Sequence, residues 1–472
     1  MLQYHSMSRF CPIEASSVHL YPPRVMPPPK PLNLPQSFIK FLRNPLLTIP
    51  ESVYHEPLAA LRGPPAIVWV TDPALVKIVL VDHCDDFPQD PLLRRVLGGL
   101  FGNGILTSEG QDWRWQHQIV APLFRHGEIV RYAPAMVAGA ESAIKAWSAA
   151  PPGSTHAIDA DMLRATYHVI SNIFLPGGGA LIGETMKRGT ADYVEGISWS
   201  TAYAVLSLPV WLPRPGRRRM RYWETRLRAV VADMIHAHHT SPDDRNDLLT
   251  LLLGAVDAET SQTMPEERLV DNVLTFLLAG HHTIAMTLTW TLYLLSRAPE
   301  WEARVLEEIR QVVPSGPVTG EHIDKLVTVQ QVLKESMRLY PPLPVMTRYS
   351  AKDAELASEH IRAGTLVGLP IYVIHRHRKL WDDPDRFDPS RFAPEREASY
   401  SRYQFMPFGA GPRICIGAAF ALIEATAMLA TLVRAARFES TPVQEPMPVW
   451  RVVLLPKDGM PLQVTIRDRV GR

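Results

Sequence analysis

Cysteine is scarce in this chain, with three residues (Cys11, Cys84 and Cys415) among 472. The number is odd and no two form a C-x-x-C pair. That excludes a secreted disulfide scaffold and predicts a reducing, cytoplasmic setting. An excess of either charge is also lacking, since Lys+Arg 49 against Asp+Glu 48 leaves +1. A nucleic-acid binder relying on bulk positive charge is excluded, and no nucleic-acid partner is expected. The N-terminus lacks the unbroken apolar run of a signal peptide and carries no membrane anchor of ~20 apolar residues. No period of 20–50 residues recurs, which removes a solenoid. No linker-like stretch divides residues 36–472.

What the chain does have is proline, 43 residues, nearly twice the usual share of ~5%. Part of it lies in a leader, residues 1–35, whose segment YPPRVMPPPKPLNLP is too proline-rich for helix or sheet and reads as extended. Length alone gives a prior of roughly three domains, but without a linker residues 36–472 read as a single domain. Strand-like runs stand at 66–71, 366–374, 449–455 and 461–466, and most of the rest is helical in pattern. The longest helix is predicted from Pro265 to Leu295, opening at Thr263-Met-Pro-Glu as capping residue, proline and acid. Its middle, VLTFLLAGHHTIAMTLTWTLYLL, is apolar on nearly every face. Two histidines, a glycine and several threonines at its centre argue for a buried core axis rather than a membrane span. Further helices are expected after Pro299, over 326–340, and from just after Cys415. The fold class is therefore mainly α with small β regions.

The most informative segment is Phe408 to Gly417, FGAGPRICIG. It is an irregular loop feeding a helix with one cysteine at the junction. Gly409 and Gly411 allow turns that a side chain would block. Cys415 at a helix start is favoured as thiolate, Gly417 leaves room for a flat group, and Arg413 offers a cation to an acidic one.

With Pro407 before it, this segment resembles the haem-binding signature F-x-x-G-x-R-x-C-x-G of the cytochromes P-450, here of the soluble bacterial type. The resemblance runs from about Gly102 to Phe438. It implies the cytochrome P-450 fold, with haem b between the long central helix and the cysteine-loop helix and Cys415 as the iron ligand. Glu335 and Arg338 match the family's E-x-x-R pair, and Arg391 of Pro389-Ser390-Arg391-Phe392 its third partner. Their implied role is structural.

Ala279-Gly280-His281-His282-Thr283 resembles the oxygen-binding motif A-G-x-D/E-T, with Thr283 and His282 as the implied catalytic pair. Two positions depart from the family pattern. His282 replaces the acid before the threonine, and His117, four residues after Trp113, replaces the arginine of W-x-x-x-R. Arg348 and Arg413 are expected to carry the haem propionates, with His117 a weaker third partner. An unperturbed imidazole near pH ~6.5 changes charge in the working range. Burial would lower that pKa and a nearby carboxylate would raise it. His282 is thus open to two readings, proton relay or helix packing.

Ile105, Leu106 and Leu343 are similar in position to residues that wall the family's substrate pocket. The resemblance implies a haem-thiolate monooxygenase that inserts one oxygen atom of O2 into an apolar small molecule. By motif likeness (LTFLLAGHHT, PFGAGPRICIG) fatty acids or other lipids rank first, terpenoids or steroids next. A peroxide-driven peroxygenase and a non-oxidative haem-binding protein are the rival classes. Only 57 residues follow Cys415, too few for a flavin or iron–sulfur domain. Electrons are therefore expected from NAD(P)H through a ferredoxin or flavodoxin with its reductase, onto a monomer. The arginines at 214, 217, 218, 219, 221, 226 and 228 read as a solvated helix start.

Overall fold

The computed structural model describes residues 19–467 except 62–65, 175–184, parts of 186–210, 241–246, 258–260, 358 and 442–444. Its longer helices are α1 (Leu34–Arg43), α2 (Pro91–Phe101), α3 (Gly110–Val120), α4 (Ala133–Ser148), α5 (Ile158–Phe174), α6 (Arg217–Thr240), α7 (Glu266–Arg297), α8 (Pro299–Val312), α9 (Val327–Leu339) and α10 (Ala418–Ala435). Eleven short strands among the described residues are β1 (Leu58–Leu61), β2 (Ile67–Val70), β3 (Ser154–Ala157), β4 (Met346–Tyr349), β5 (Ala354–Leu356), β6 (Glu359–Ile361), β7 (Leu366–Leu369), β8 (Ala436–Ser440), β9 (Pro448–Trp450), β10 (Leu454–Pro456) and β11 (Pro461–Ile466).

The 32-residue helix α7 is the axis. Because it is apolar nearly all round, it buries most of its surface, and α5, α6, α9 and α10 all pack on it. Length and composition alone would let α7 and α10 cross a membrane, but most of each is buried inside the protein. The start of α7 differs from the sequence reading. Pro265 is the N-cap and makes no side-chain cap bond, while Thr263 pairs with Val256 in an isolated bridge.

One sheet has the order β1-β2-β7-β4, with β2 and β7 parallel and the outer pairs antiparallel. A second has the order β3-β11-β8, and β9/β10 and β5/β6 are hairpins. Two predicted strands are shorter than read. The run 366–374 is a strand only to Leu369, because Pro370 cannot donate to a ladder and a helical turn, Ile371–Ile374, follows. The run 449–455 splits into β9 and β10 around residues 451–453. The proline-rich segment lies against the body. Val25 is buried, Tyr340 donates to the Pro23 carbonyl at 2.7 Å and the Val25 N–H to Tyr372 Oη at 3.0 Å. Residues 1–18, Cys11 among them, lie outside the described residues.

Candidate active site

Helix α10 begins at Ala418 with Gly417 as its N-cap, so Cys415 sits just before the helix rather than in its first turn. The loop ahead of it is shaped by backbone bonds: the Cys415 N–H donates to the Phe408 carbonyl at 2.9 Å and Gly409 N–H to Met406 at 3.0 Å. Gly409 and Gly411 have φ of +74° and +76°. At Gly411 a Cβ would stand 2.0 Å from the Leu80 carbonyl oxygen, so only glycine fits. Protein massed around Cys415 pushes its thiol pKa up, opposed by a hydrogen bond from the Gly417 backbone. Burial is the larger of the two and works against the thiolate that the sequence suggested. The residue nevertheless keeps open surface. Deprotonation there calls for a partner of high positive charge, such as a metal ion.

Two guanidinium groups stand near one another beside this loop. Arg413 lies over the Trp113 ring at 4.3 Å and donates to Gln89 Oε1 at 3.2 Å and to the Ser108 carbonyl at 2.7 Å. Arg348, on β4, is buried and donates to its neighbour's carbonyl, Thr347, at 2.8 Å. Among the described residues neither has a carboxylate at ion-pair distance; Asp90 and Glu109 act on them only from further off. Burial and Arg348's charge lower Arg413 to about 10, and burial lowers Arg348 as well. Two such cations call for two anionic groups, which fits the pair of propionates on a haem. His117, 5.0 Å from the Trp113 ring, is held below its ordinary pKa by burial and by Arg413. It offers a neutral N–H rather than a third cation.

At the middle of α7, where almost every residue is buried, Ala279 is exposed and Gly280, His282 and Thr283 are partly open. Thr283 Oγ1 donates to the Ala279 carbonyl one turn back at 2.9 Å. His281 is buried, its Nδ1 at 2.5 Å from the Leu277 carbonyl and its ring 4.4 Å from that of His282. Burial and His281 together push His282 down to about 3. Burial, the larger cause, thus works against the charge change near neutrality that one sequence reading expects.

The structural triad lies behind the cysteine loop. Glu335 and Arg338 form a bidentate pair at 2.6 and 2.8 Å, both with no exposed surface. Arg338 also donates to the carbonyls of His375, Pro384 and Arg386. Arg391 is more loosely attached, 3.6 Å from Glu335, and donates to the Asp383 carbonyl. Sequence reasoning missed His375, whose Nε2 accepts the Met406 N–H at 3.0 Å. One residue thus joins Arg338, through its carbonyl, to the entrance of the cysteine loop. It missed Gln89 and Gln116 as well, since isolated polar residues carry no spacing signal. Of the pocket candidates, Ile105 is packed in the core at 8% exposed, Leu106 is half-buried and Leu343 is 42% exposed. Only the two leucines have open surface to give a ligand.

The family model described as "Cytochrome P450" matches residues 48–464. The cyclooctat-9-en-7-ol 5-monooxygenase of Streptomyces melanosporofaciens is 33% identical over 85% of this chain and 86% of its own length. The pentalenene oxygenase of Streptomyces avermitilis is 29% identical over 91% of this chain and 94% of its own. The 11-oxo-beta-amyrin 30-oxidase of Glycyrrhiza uralensis is 32% identical over 85% and 79%. Among solved structures, the haem domain of cytochrome P450DA superposes with a TM-score of 0.79 at 24% identity, covering 94% of this chain and 99% of that one. Cysteine loop, arginine pair, E-x-x-R core and family match agree: the chain belongs to the cytochrome P450 family and is a cytochrome P450 monooxygenase.

Proposed function

We propose that this monooxygenase inserts one atom of O2 into an apolar terpenoid, with other lipids the second substrate class. The single observation that carries the haem-dependent reading is the pair Arg348, buried, and Arg413, half-buried, two cations with no carboxylate at ion-pair distance among the described residues, beside the one cysteine of the signature loop. Motif likeness ranks lipids first. The relatives whose names specify pentalenene, cyclooctat-9-en-7-ol and 11-oxo-beta-amyrin share most of the chain rather than some twenty residues. We give them the greater weight, although a fold accepts many substrates.

Cys415 would hold the iron, and Arg348 and Arg413 the two propionates, with Trp113 packed against Arg413. When bound, a thiolate-ligated haem supplies the oxidising chemistry, since the thiolate favours O–O cleavage. The chain's own part is binding and proton handling. Because the Thr283 hydroxyl donates to Ala279, its oxygen lone pairs face outward to accept. His282, neutral at working pH, has one donor and one acceptor nitrogen and can pass a proton by exchanging tautomers. Leu106 and Leu343 would set which carbon is presented. Electrons would come from NAD(P)H through a ferredoxin or flavodoxin with its reductase.

The test is a spin-state titration of the haem-loaded protein with matched panels of cyclic terpenes and C10–C18 fatty acids. Saturating shifts at the lowest concentrations are expected from the terpenes. Tighter saturation by fatty acids would overturn the substrate reading.

A further inference from the structure

The loop that carries Leu106 is fixed at both ends by polar side chains from elements far away in sequence. At its start, Asp271 and Asn272 on α7 receive it. Asp271 Oδ2 accepts the Asn103 N–H at 2.8 Å and Asn272 Oδ1 accepts the Ile105 N–H at 2.9 Å. Asn272 Nδ2 donates to Gln116 Oε1 at 2.8 Å, and Gln116 Nε2 donates on to the Asn103 carbonyl at 2.9 Å. Asn272, Gln116 and Asp271 all have no exposed surface. The loop lies so close to α7 that a Cβ on Gly102 would meet Asp271 Oδ1 and one on Gly104 would stand 3.0 Å from the Asp271 carbonyl oxygen. At the far end, Gln89 Nε2 donates to the Leu106 carbonyl at 3.2 Å and Arg413 donates to that of Ser108 at 2.7 Å. Helix α6 adds a brace, since Arg228 meets Asp271 Oδ1 at 2.7 Å and donates to the Leu100 carbonyl at 3.1 Å. That arginine belongs to the run read from sequence as solvated.

Nothing in the haem reading requires these bonds. Buried amides cost free energy unless fully paired, and a simple apolar contact would close the same gap. What they do, and an apolar contact would not, is fix the loop in one register, because each bond names one backbone group. We propose that Asn272, braced by Gln116, is a positioning residue for substrate specificity: it holds the 103–106 loop as a rigid wall against α7 and so sets the size and shape of ligand that reaches the haem. The inference rests on the reading that Leu106 lines the substrate pocket.

The experiment uses haem-loaded protein and three nitrogenous probes of increasing bulk: imidazole, 4-phenylimidazole and clotrimazole, followed by the spectral shift on iron coordination. The variants are Asn272→Leu, Gln116→Met and, as a control on the pocket reading, Leu106→Phe. With the clamp removed, clotrimazole affinity is expected to change by about fivefold or more, the scale of one hydrogen bond. Imidazole affinity and the ferrous–CO band should stay as in wild type, which a general loss of folding would not leave untouched. Gln116→Met keeps the bond from Asn272 to Ile105, so it decides the matter if Asn272→Leu fails to load haem. A change in Leu106→Phe with none in the clamp variants would overturn the clamp alone. No change in any variant would overturn the pocket reading and the clamp with it.

Discussion

Burial holds several imidazoles of this protein below their ordinary pKa, and His281, His282 and His375 most strongly. Burial, opposed by the bond to the Leu277 carbonyl, puts His281 at about 4, and burial with the His281 ring or with arginine charge beside it puts His282 and His375 at about 3. For His375 the neighbours are Arg338 and Arg376, and its neutral Nε2 is what accepts the Met406 N–H. The sign for stability follows directly. An unfolded histidine takes up a proton below pH ~6.5 and the folded one does not. The unfolded state therefore binds more protons, and stability falls as pH drops from about 6.5 towards the folded value. His375→Gln keeps an acceptor for Met406 while removing one titrating group. The slope of unfolding free energy between pH 6 and 4.5 should then be shallower by about one proton, or ~1.4 kcal/mol per pH unit. Urea denaturation at a series of pH values measures it. An unchanged slope would mean that His375 is protonated in the folded protein.

The E-x-x-R helix α9 and the turn carrying Arg391 act as one element, but their contributions differ. Arg338 makes two short bonds to Glu335 and three to backbone carbonyls, whereas Arg391 stands 3.6 Å from the same carboxylate. Arg338→Ala leaves a buried carboxylate with little compensation, at a cost of ~3–5 kcal/mol. Arg391→Ala leaves Glu335 still held by Arg338 and by the Asp388 N–H at 2.8 Å, so ~1–3 kcal/mol is expected. Equal losses by denaturant titration would show the triad to be symmetric. Elements of this kind were legible in different degrees. The sequence revealed α7, α8, α9 and α10 because each is a long periodic or apolar run bounded by proline or glycine. The strands β1, β3, β4, β5, β6 and β8 escaped because three to five residues carry no reliable alternation and their partners lie far away in sequence. The Thr263 cap failed for a related reason, its backbone being committed to a bridge with Val256.

On the scale of the whole molecule, the site is the meeting place of segments more than 300 residues apart. Gln89 and Arg413 touch, and both are tied to the loop over 103–108. Cys415, the arginine pair and the E-x-x-R core could be recognised from sequence because short motifs carry them. The connections between them, through His375, Gln89, Gln116 and Asn272, could not, because each is a single polar residue whose partner is set by the tertiary fold. The buried Asp271-Asn272 pair in an otherwise apolar stretch of α7 was the one available hint. Under the proposed function Cys415 is the iron ligand. The most direct test is the difference spectrum of the ferrous–CO complex for wild type and Cys415→Ala. The account predicts the red-shifted Soret band of a thiolate-ligated haem in wild type and its complete loss in the variant. The same red-shifted band in Cys415→Ala would contradict it.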